Sequence, residues 1–240
     1  MTDAVLVTTF HTERHWKDHA ERMAKSWKTY NSHIPLIAYY EGEKPKFDGP
    51  IWHDIEETQF PKVRARWAGL PAAHGIVGKR VVDYRRQALR FAPKVAAIAA
   101  GPNGVYYDTT WLIWVDADVE FVAPLDQAFW LALEGFARPC VTLLRTDIWN
   151  CAETGFVAFA WRHPSARQIV TQWWRLYESG DIFLYPEWHD AYALSSIGWQ
   201  FPYLFADLSG GLGKAHGLHP WPLTILGEYM IHHKGPNKNG

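Results

Sequence analysis

Asp116 and Asp118 stand one residue apart, directly after the apolar run Trp111-Leu112-Ile113-Trp114-Val115. Two carboxylates so placed in a partly dry site repel each other and resist ionisation. A hard divalent cation removes that penalty, because Mg²⁺ or Mn²⁺ takes carboxylate oxygens and completes its shell with water and phosphate oxygens. A second set lies far along the sequence, where His232-His233-Lys234-Gly235-Pro236-Asn237-Lys238 combines imidazoles, ammonium groups and a glycine-proline turn. An imidazole can complete a manganese shell, and a lysine is a compact counter-charge for a diphosphate. Taken alone, an Asp-x-Asp surface turn and a frayed basic tail are the alternatives.

Such groups act together only if the chain carries them to one place, and in open α/β sheets that place is beyond the carboxyl ends of the strands. Residues 4–9 read as a first strand buried on both faces. Trp16, Ala20, Met23, Trp27 and Tyr30 follow at helical spacing, with Thr12 as the expected N-cap and Glu13 in the first turn. Residues 35–40 give a second strand, closing a right-handed βαβ unit. Residues 41–78, scattered with proline and glycine, read as loops and short turns. A helix is expected over 82–100, kinked by Pro93 and stopped at Gly101-Pro102. The 111–115 run is a strand, followed by strands over 141–144 and 155–161, a helix over 165–177 with Trp173 in its apolar stripe, and a strand over 228–231. Trp173 and Trp174 are both expected in the core.

With 240 residues, 48% hydrophobic and 20% charged, the chain can bury a substantial core, which excludes disorder, collagen and coiled coil and favours one α/β domain over 1–240. No segment reaches the roughly 18 consecutive apolar residues of a membrane span. The opening residues show no signal peptide, so a soluble cytoplasmic protein is expected. Cys140 and Cys151 read as buried thiols. The overall charge of −1 conceals an asymmetry: residues 58–107 carry nine basic side chains against one acid, a net of +8, so the other 190 residues carry −9. Such a segment suits a polyanion, either a nucleotide diphosphate or a nucleic acid, unless it is only a solvated helix face. Arg86, Arg90 and Lys94 fall at i, i+4 and i+8 of the expected 82–100 helix, so one face of it would carry three cations.

Trp111–Phe121 resembles the Asp-x-Asp segment of nucleotide-sugar glycosyltransferases with the GT-A fold, and His232-x-x-Gly235-x-x-Lys238 is similar to the tail motif of their retaining family 8. Two further islands resemble that family in order: Glu153-Thr154-Gly155-Phe156-Val157, like its Asn-Ser-Gly segment, and Glu187-Trp188-His189-Asp190-Ala191, like its Asp-Gln-Asp segment. The chain departs from the pattern in ending Asn239-Gly240 where the family continues Pro-Trp, and in having Glu153 where asparagine is usual.

The resemblance implies a Rossmann-like GT-A domain with a mixed, mainly parallel sheet flanked by helices. It implies transfer of a sugar from a nucleoside-diphosphate donor, a UDP-sugar, to a saccharide or other hydroxyl acceptor, with Mn²⁺ or Mg²⁺ as cofactor. Asp116, Asp118 and His232 would hold the metal, Gly235 and Lys238 the diphosphate, and Thr8, Thr9 and Phe10 the nucleobase and ribose. Asp116, Arg86, Arg90 and Lys94 would face the donor, Lys94 foremost. Asp190 and Glu153 are the candidate catalytic residues. Asp190 would serve as base in an inverting enzyme, whereas in a retaining one the donor phosphate takes the acceptor's proton; Glu153 would hydrogen-bond sugar hydroxyls. Ser209 to Gly213 reads as a loop near the acceptor. The same chemistry on a modified DNA base, nucleotidyl transfer, and a non-catalytic sugar-nucleotide-binding module are the rival readings.

Overall fold

The computed structural model describes residues 3–77, 81–101, 108–145, 151–210 and 221–233. The chain begins with β1 (Ala4–His11), a short helix α1 (Thr12–His15), a wide π-type turn over Trp16–Ala20, α2 (Glu21–Tyr30), β2 (Leu36–Glu41) and β3 (Ile51–Asp54). After α3 (Phe60–Trp67), the two-residue strands β4 (Ile76–Val77) and β5 (Val81–Val82) pair with each other, and α4 (Ala88–Ala100) leads into β6 (Trp111–Val115). β7 (Val119–Phe121), α5 (Gln127–Gly135), β8 (Cys140–Arg145), β9 (Cys151–Ala160), α6 (Pro164–Ser179) and α7 (Asp190–Gln200) follow. β10 (Phe205–Asp207), α8 (Ile225–Tyr229) and β11 (Met230–His232) complete the described elements.

Seven strands form one sheet in the order β10-β8-β9-β6-β1-β2-β3. β9 runs antiparallel to β6 and β8, and the remaining pairs are parallel, so the sheet is mixed and mainly parallel as expected. Its central strands are apolar throughout because both faces are covered. Alternate residues point to opposite sides. Val5, Val7, Leu112, Trp114, Val157 and Phe159 pack with α4, α6 and α7 on one face. Leu6, Ile113, Val115, Phe156 and Ala158 pack with α2, α5 and α8 on the other. Trp173 and Trp174 are both buried, as are Cys140 and Cys151. Among the described residues no helix is long and apolar enough to cross a membrane.

Four expectations change. The 41–78 stretch contains β3 and α3. β3 is a half-buried edge strand with polar His53 and Asp54, and α3 buries only Phe60 and Val63, so neither shows strong periodicity. The first helix is capped at His11, not Thr12, because β1 continues to His11, and it is interrupted by the π-type turn. The helix expected from residue 82 starts at Ala88: Asp83 accepts from the backbone N–H of Arg85 and holds Tyr84–Arg86 in a separate 3₁₀ turn. The strand expected over 228–231 is displaced, since Thr224 caps α8 and pairing with β7 begins at Met230.

Candidate active site

β6 delivers Asp116 to the carboxyl edge of the sheet, where its backbone N–H donates to Gly155 O at 2.9 Å. A tight turn follows, closed by Val119 N–H to Asp116 O at 3.1 Å, and it presents Asp118. The third group arrives from a distant part of the chain. β11 pairs antiparallel with β7 so that His232 lies opposite Val119, and His233 N–H donates to Asp118 O at 3.0 Å. This register places His232 Nε2 3.1 Å from Asp118 Oδ1. One ligand atom from each of Asp116, Asp118 and His232 lies within 4.8 Å of the others.

The His232 ring is held between Trp221, with ring centroids 4.6 Å apart, and the backbone of Gly155. A Cβ at Gly155 would overlap the imidazole, so only glycine leaves room for it. Two carboxylates and an imidazole form a donor set that suits Mn²⁺, with Mg²⁺ compatible through the oxygens. The residues present therefore fit the divalent ion. His233, its neighbour, instead meets Glu120 Oε2 at 2.8 Å.

Gly155 reaches the ring because β9 bulges. Thr142 of β8 pairs with Val157 and the next residue, Leu143, with Glu153, so Thr154, Gly155 and Phe156 are skipped in the ladder with β8. The Thr142 hydroxyl lies 3.1 Å from Glu153 O and 3.0 Å from Phe156 O, bracketing the bulge. Bulges of this kind re-aim side chains beside a site.

Lys94 projects from α4 into the space behind the acidic pair. Its Nζ donates to Asp116 Oδ1 at 2.8 Å and Thr154 O at 2.5 Å, and pairs with Asp190 Oδ2 at 2.7 Å. It sits 5.1 Å from the centre of the Trp114 ring, whose Nε1–H also donates to Asp116 Oδ1. Burial alone would depress the ammonium, but Asp116 and then Asp190 outweigh it and hold its pKa above the ordinary lysine value. Asp190 opens α7, 5% exposed, and accepts from Thr154 Oγ1 at 2.6 Å. Burial would raise its carboxyl; Lys94, then His189, and hydrogen bonds from Lys94 and Thr154 bring it below the usual aspartate value.

Asp116, Asp118, Lys94 and Asp190 share a cavity of about 720 Å³, whose wall does not include His232. Thr9, Phe10, Arg90, Lys94, Asp116, Asp118, Glu153 and Asp190 all line it. Glu153 is buried and accepts from Gly155 N–H at 3.3 Å. Thr8 is buried in β1 and is not part of the cavity wall. Arg86 precedes α4, so the expected three-cation helix face does not form; its guanidinium lies over Trp188 and pairs with Asp83 at 3.7 Å. Gly235, Lys238 and the 211–213 part of the expected acceptor loop lie outside the described residues. Other cations of the 58–107 segment are also met locally: Arg64 pairs with Glu41 and Glu56, and Arg85 with Glu187.

Several cavity residues escaped the sequence reading. Trp114 read as an ordinary strand residue, and Thr154, though within the island that resembles the Asn-Ser-Gly segment, was given no role of its own. His11, His15 and His19 line the cavity in a row, with successive ring centroids 6.5 Å apart. Their four-residue spacing was the available signal. Burial first, then the His19 and His11 imidazoles and the Arg90 and Arg14 guanidiniums, lower the His15 pKa.

No protein-family model and no curated protein matches the sequence. Solved structures do match in shape. Mouse xyloside xylosyltransferase 1 in its apo form aligns over 86% of this chain and 85% of its own, with a TM-score of 0.52 and 13% identity. The glycosyltransferase GlyE of Streptococcus pneumoniae TIGR4 aligns over 99% of this chain, with a TM-score of 0.52 and 14% identity, and the chain spans 56% of that protein. At such identities the likeness establishes the fold, which is the GT-A architecture shared with these two glycosyltransferases.

Proposed function

We propose that the chain, as one domain over residues 1–240, is a divalent-metal-dependent glycosyltransferase that uses a nucleoside-diphosphate sugar, a UDP-sugar, and transfers it to a hydroxyl acceptor with retention of configuration. One observation carries this reading: Asp116, Asp118 and His232 converge from β6 and β11 at the carboxyl edge of the sheet, beside a cavity walled by the Lys94–Asp190 pair. The glycosyltransferase identity of two proteins with this fold supports the same reaction class.

Asp116 and Asp118 would hold Mn²⁺ or Mg²⁺ through carboxylate oxygens, and His232 through a ring nitrogen. When bound, the ion supplies Lewis-acid stabilisation of the negative charge that gathers on a departing diphosphate. Thr9 and Phe10, at the end of β1, would cradle the nucleobase and ribose, and Arg90 would face the phosphates. Gly235 and Lys238 are assigned to the diphosphate by the tail motif alone.

Asp190 is a poor proton acceptor where it stands, because Lys94 and Thr154 already donate to Oδ2 and its pKa is depressed. Its negative charge is better suited to stabilising positive charge growing on the sugar carbon. This supports retention, in which the acceptor's proton passes to the departing phosphate oxygen. Glu153, on the cavity wall, would accept from sugar hydroxyls. Lys94 acts as a positioning residue, fixing Asp116 and Asp190 relative to each other.

The deciding experiment incubates the protein with a panel of nucleotide sugars and Mn²⁺ and reads the products by mass spectrometry. Release of nucleoside diphosphate, abolished by EDTA and by Asp118→Ala, is the expected outcome. Release of pyrophosphate would assign nucleotidyl transfer instead, and donor binding without turnover to water or any acceptor would leave a non-catalytic binding module.

A further inference from the structure

Most described tryptophans of this chain are buried, yet Trp199, near the end of α7, is 42% exposed, and Tyr84 at the cavity wall is 55% exposed. The two are ends of one row. Tyr84 meets Phe91 with ring centroids 5.2 Å apart, Phe91 meets His189 at 5.9 Å, His189 meets Tyr192 at 6.2 Å, and Tyr192 meets Trp199 at 5.2 Å. Tyr185 flanks the row, 6.1 Å from Tyr192. Tyr84, Phe91 and His189 line the cavity, whereas Tyr192 and Trp199, seven residues apart on α7, continue along one face of that helix away from Asp190. Tyr84 and Trp199 are exposed and Phe91, His189 and Tyr192 between them are half-buried, so the row keeps a solvent-facing edge where core rings would be covered.

We infer that this row is the acceptor track for a carbohydrate chain several sugar rings long, whose terminal hydroxyl lies at Asp190 while its other rings stack along Phe91, Tyr192 and Trp199. Sugar rings present C–H faces that pack on aromatic faces, and a rim of hydroxyls that needs polar partners. The row supplies both, since His189 and Glu187, hydrogen-bonded at 2.7 Å, and Arg85, paired with Glu187 at 3.1 Å, lie along it. Charge separates a saccharide from a nucleic-acid strand, which would also stack on such rings. Arg85 is paired with Glu187 and Arg86 with Asp83, while Arg90, over the Tyr84 ring and bonded to Gln87 Oε1, sits at the cavity end where the donor phosphates are proposed to lie; farther along the row Glu187 would oppose a phosphate backbone.

This inference rests on the glycosyl-transfer reading, and the test separates the two. The intact protein, saturated with Mn²⁺ and UDP, is applied to a glycan array carrying oligosaccharide series from one to six residues, beside single-stranded oligonucleotides. For at least one series, binding should rise about tenfold or more between one and four residues, fall about tenfold in Trp199→Ala and Tyr192→Ala, and recover in Trp199→Phe. The thermal shift given by Mn²⁺ and UDP should be the same in all these variants. Binding that ignores chain length in every series, or length dependence untouched by the substitutions, overturns the track. Trp199-dependent binding of oligonucleotides alone overturns it in favour of nucleic acid. If wild-type protein shows no Mn²⁺-dependent response to UDP or its sugars, the transferase reading itself has failed, and the track falls with it.

Discussion

Lys94 carries its charge in a pocket where an unpaired charge is costly. It is 8% exposed, and its three oxygen partners come from β6, β9 and α7. Removing one partner of such a cluster leaves the others buried and uncompensated, which typically costs ~3–5 kcal/mol. Lys94→Met should lose about that much in urea denaturation, and adding Asp190→Asn should recover a good part of it. Equal losses in the single and double variants would show that the charge pairing is not the cause. The acid side follows from Asp190. Its folded-state pKa lies below the ordinary 3.8, so the stabilisation is present above the unfolded value and is lost as pH falls through the folded one. Below about pH 4, stability should therefore decline less steeply in Asp190→Asn than in the parent. Gly155→Ala probes a different contact. The added methyl overlaps the His232 ring, so the thermal shift induced by Mn²⁺ should vanish while far-ultraviolet circular dichroism is unchanged. An undiminished shift would remove His232 from the metal assignment.

The bulge in β9 shows how an element can aim a site. The Thr142 hydroxyl faces the carbonyls of Glu153 and Phe156, both in buried residues. Thr142→Val keeps the shape and leaves buried carbonyls short of a donor, an expected loss of about 1–3 kcal/mol in thermal unfolding. The metal response should weaken with it, because the bulge holds Gly155 against His232. The bulge was not read beforehand: Gly155 inside a buried strand was a signal for it, but the three-residue mismatch is fixed by register with β8, which is a tertiary fact. The strands of the sheet's centre were legible because burial on both faces makes them continuous apolar runs, and the aspartates stood out because they end one such run. Lys94 was singled out, but not its pairing with Asp116 and Asp190, since side chains from three elements meet there. β3 and α3 were missed because a half-buried edge strand and a helix with two buried anchors have weak periodicity. Arg86 was placed on a helix that begins after it, where Asp83 diverts the chain into a 3₁₀ turn.

Across the whole molecule, the sheet divides two apolar layers, and the proposed metal donors lie where its carboxyl edge meets the β7–β11 pair. A ligand that binds only the native arrangement stabilises it, by about 2.7 kcal/mol at a hundredfold excess over its dissociation constant. Mn²⁺ should therefore raise the melting temperature and slow hydrogen exchange at residues 230–233 and 118–121 together, because the proposed donor set would tie both segments to one ion. Slowing confined to one segment would contradict the three-residue donor set. His232 lies 114 residues beyond Asp118. At about 5–20 residues per second of ribosomal elongation, the aspartates are made roughly 6–23 s before the histidine that joins them. Throughout that interval the nascent chain holds Asp116 and Asp118 without the imidazole, so on the proposed donor set any preference for manganese would arise only after β11 has docked, governed by the ions then abundant.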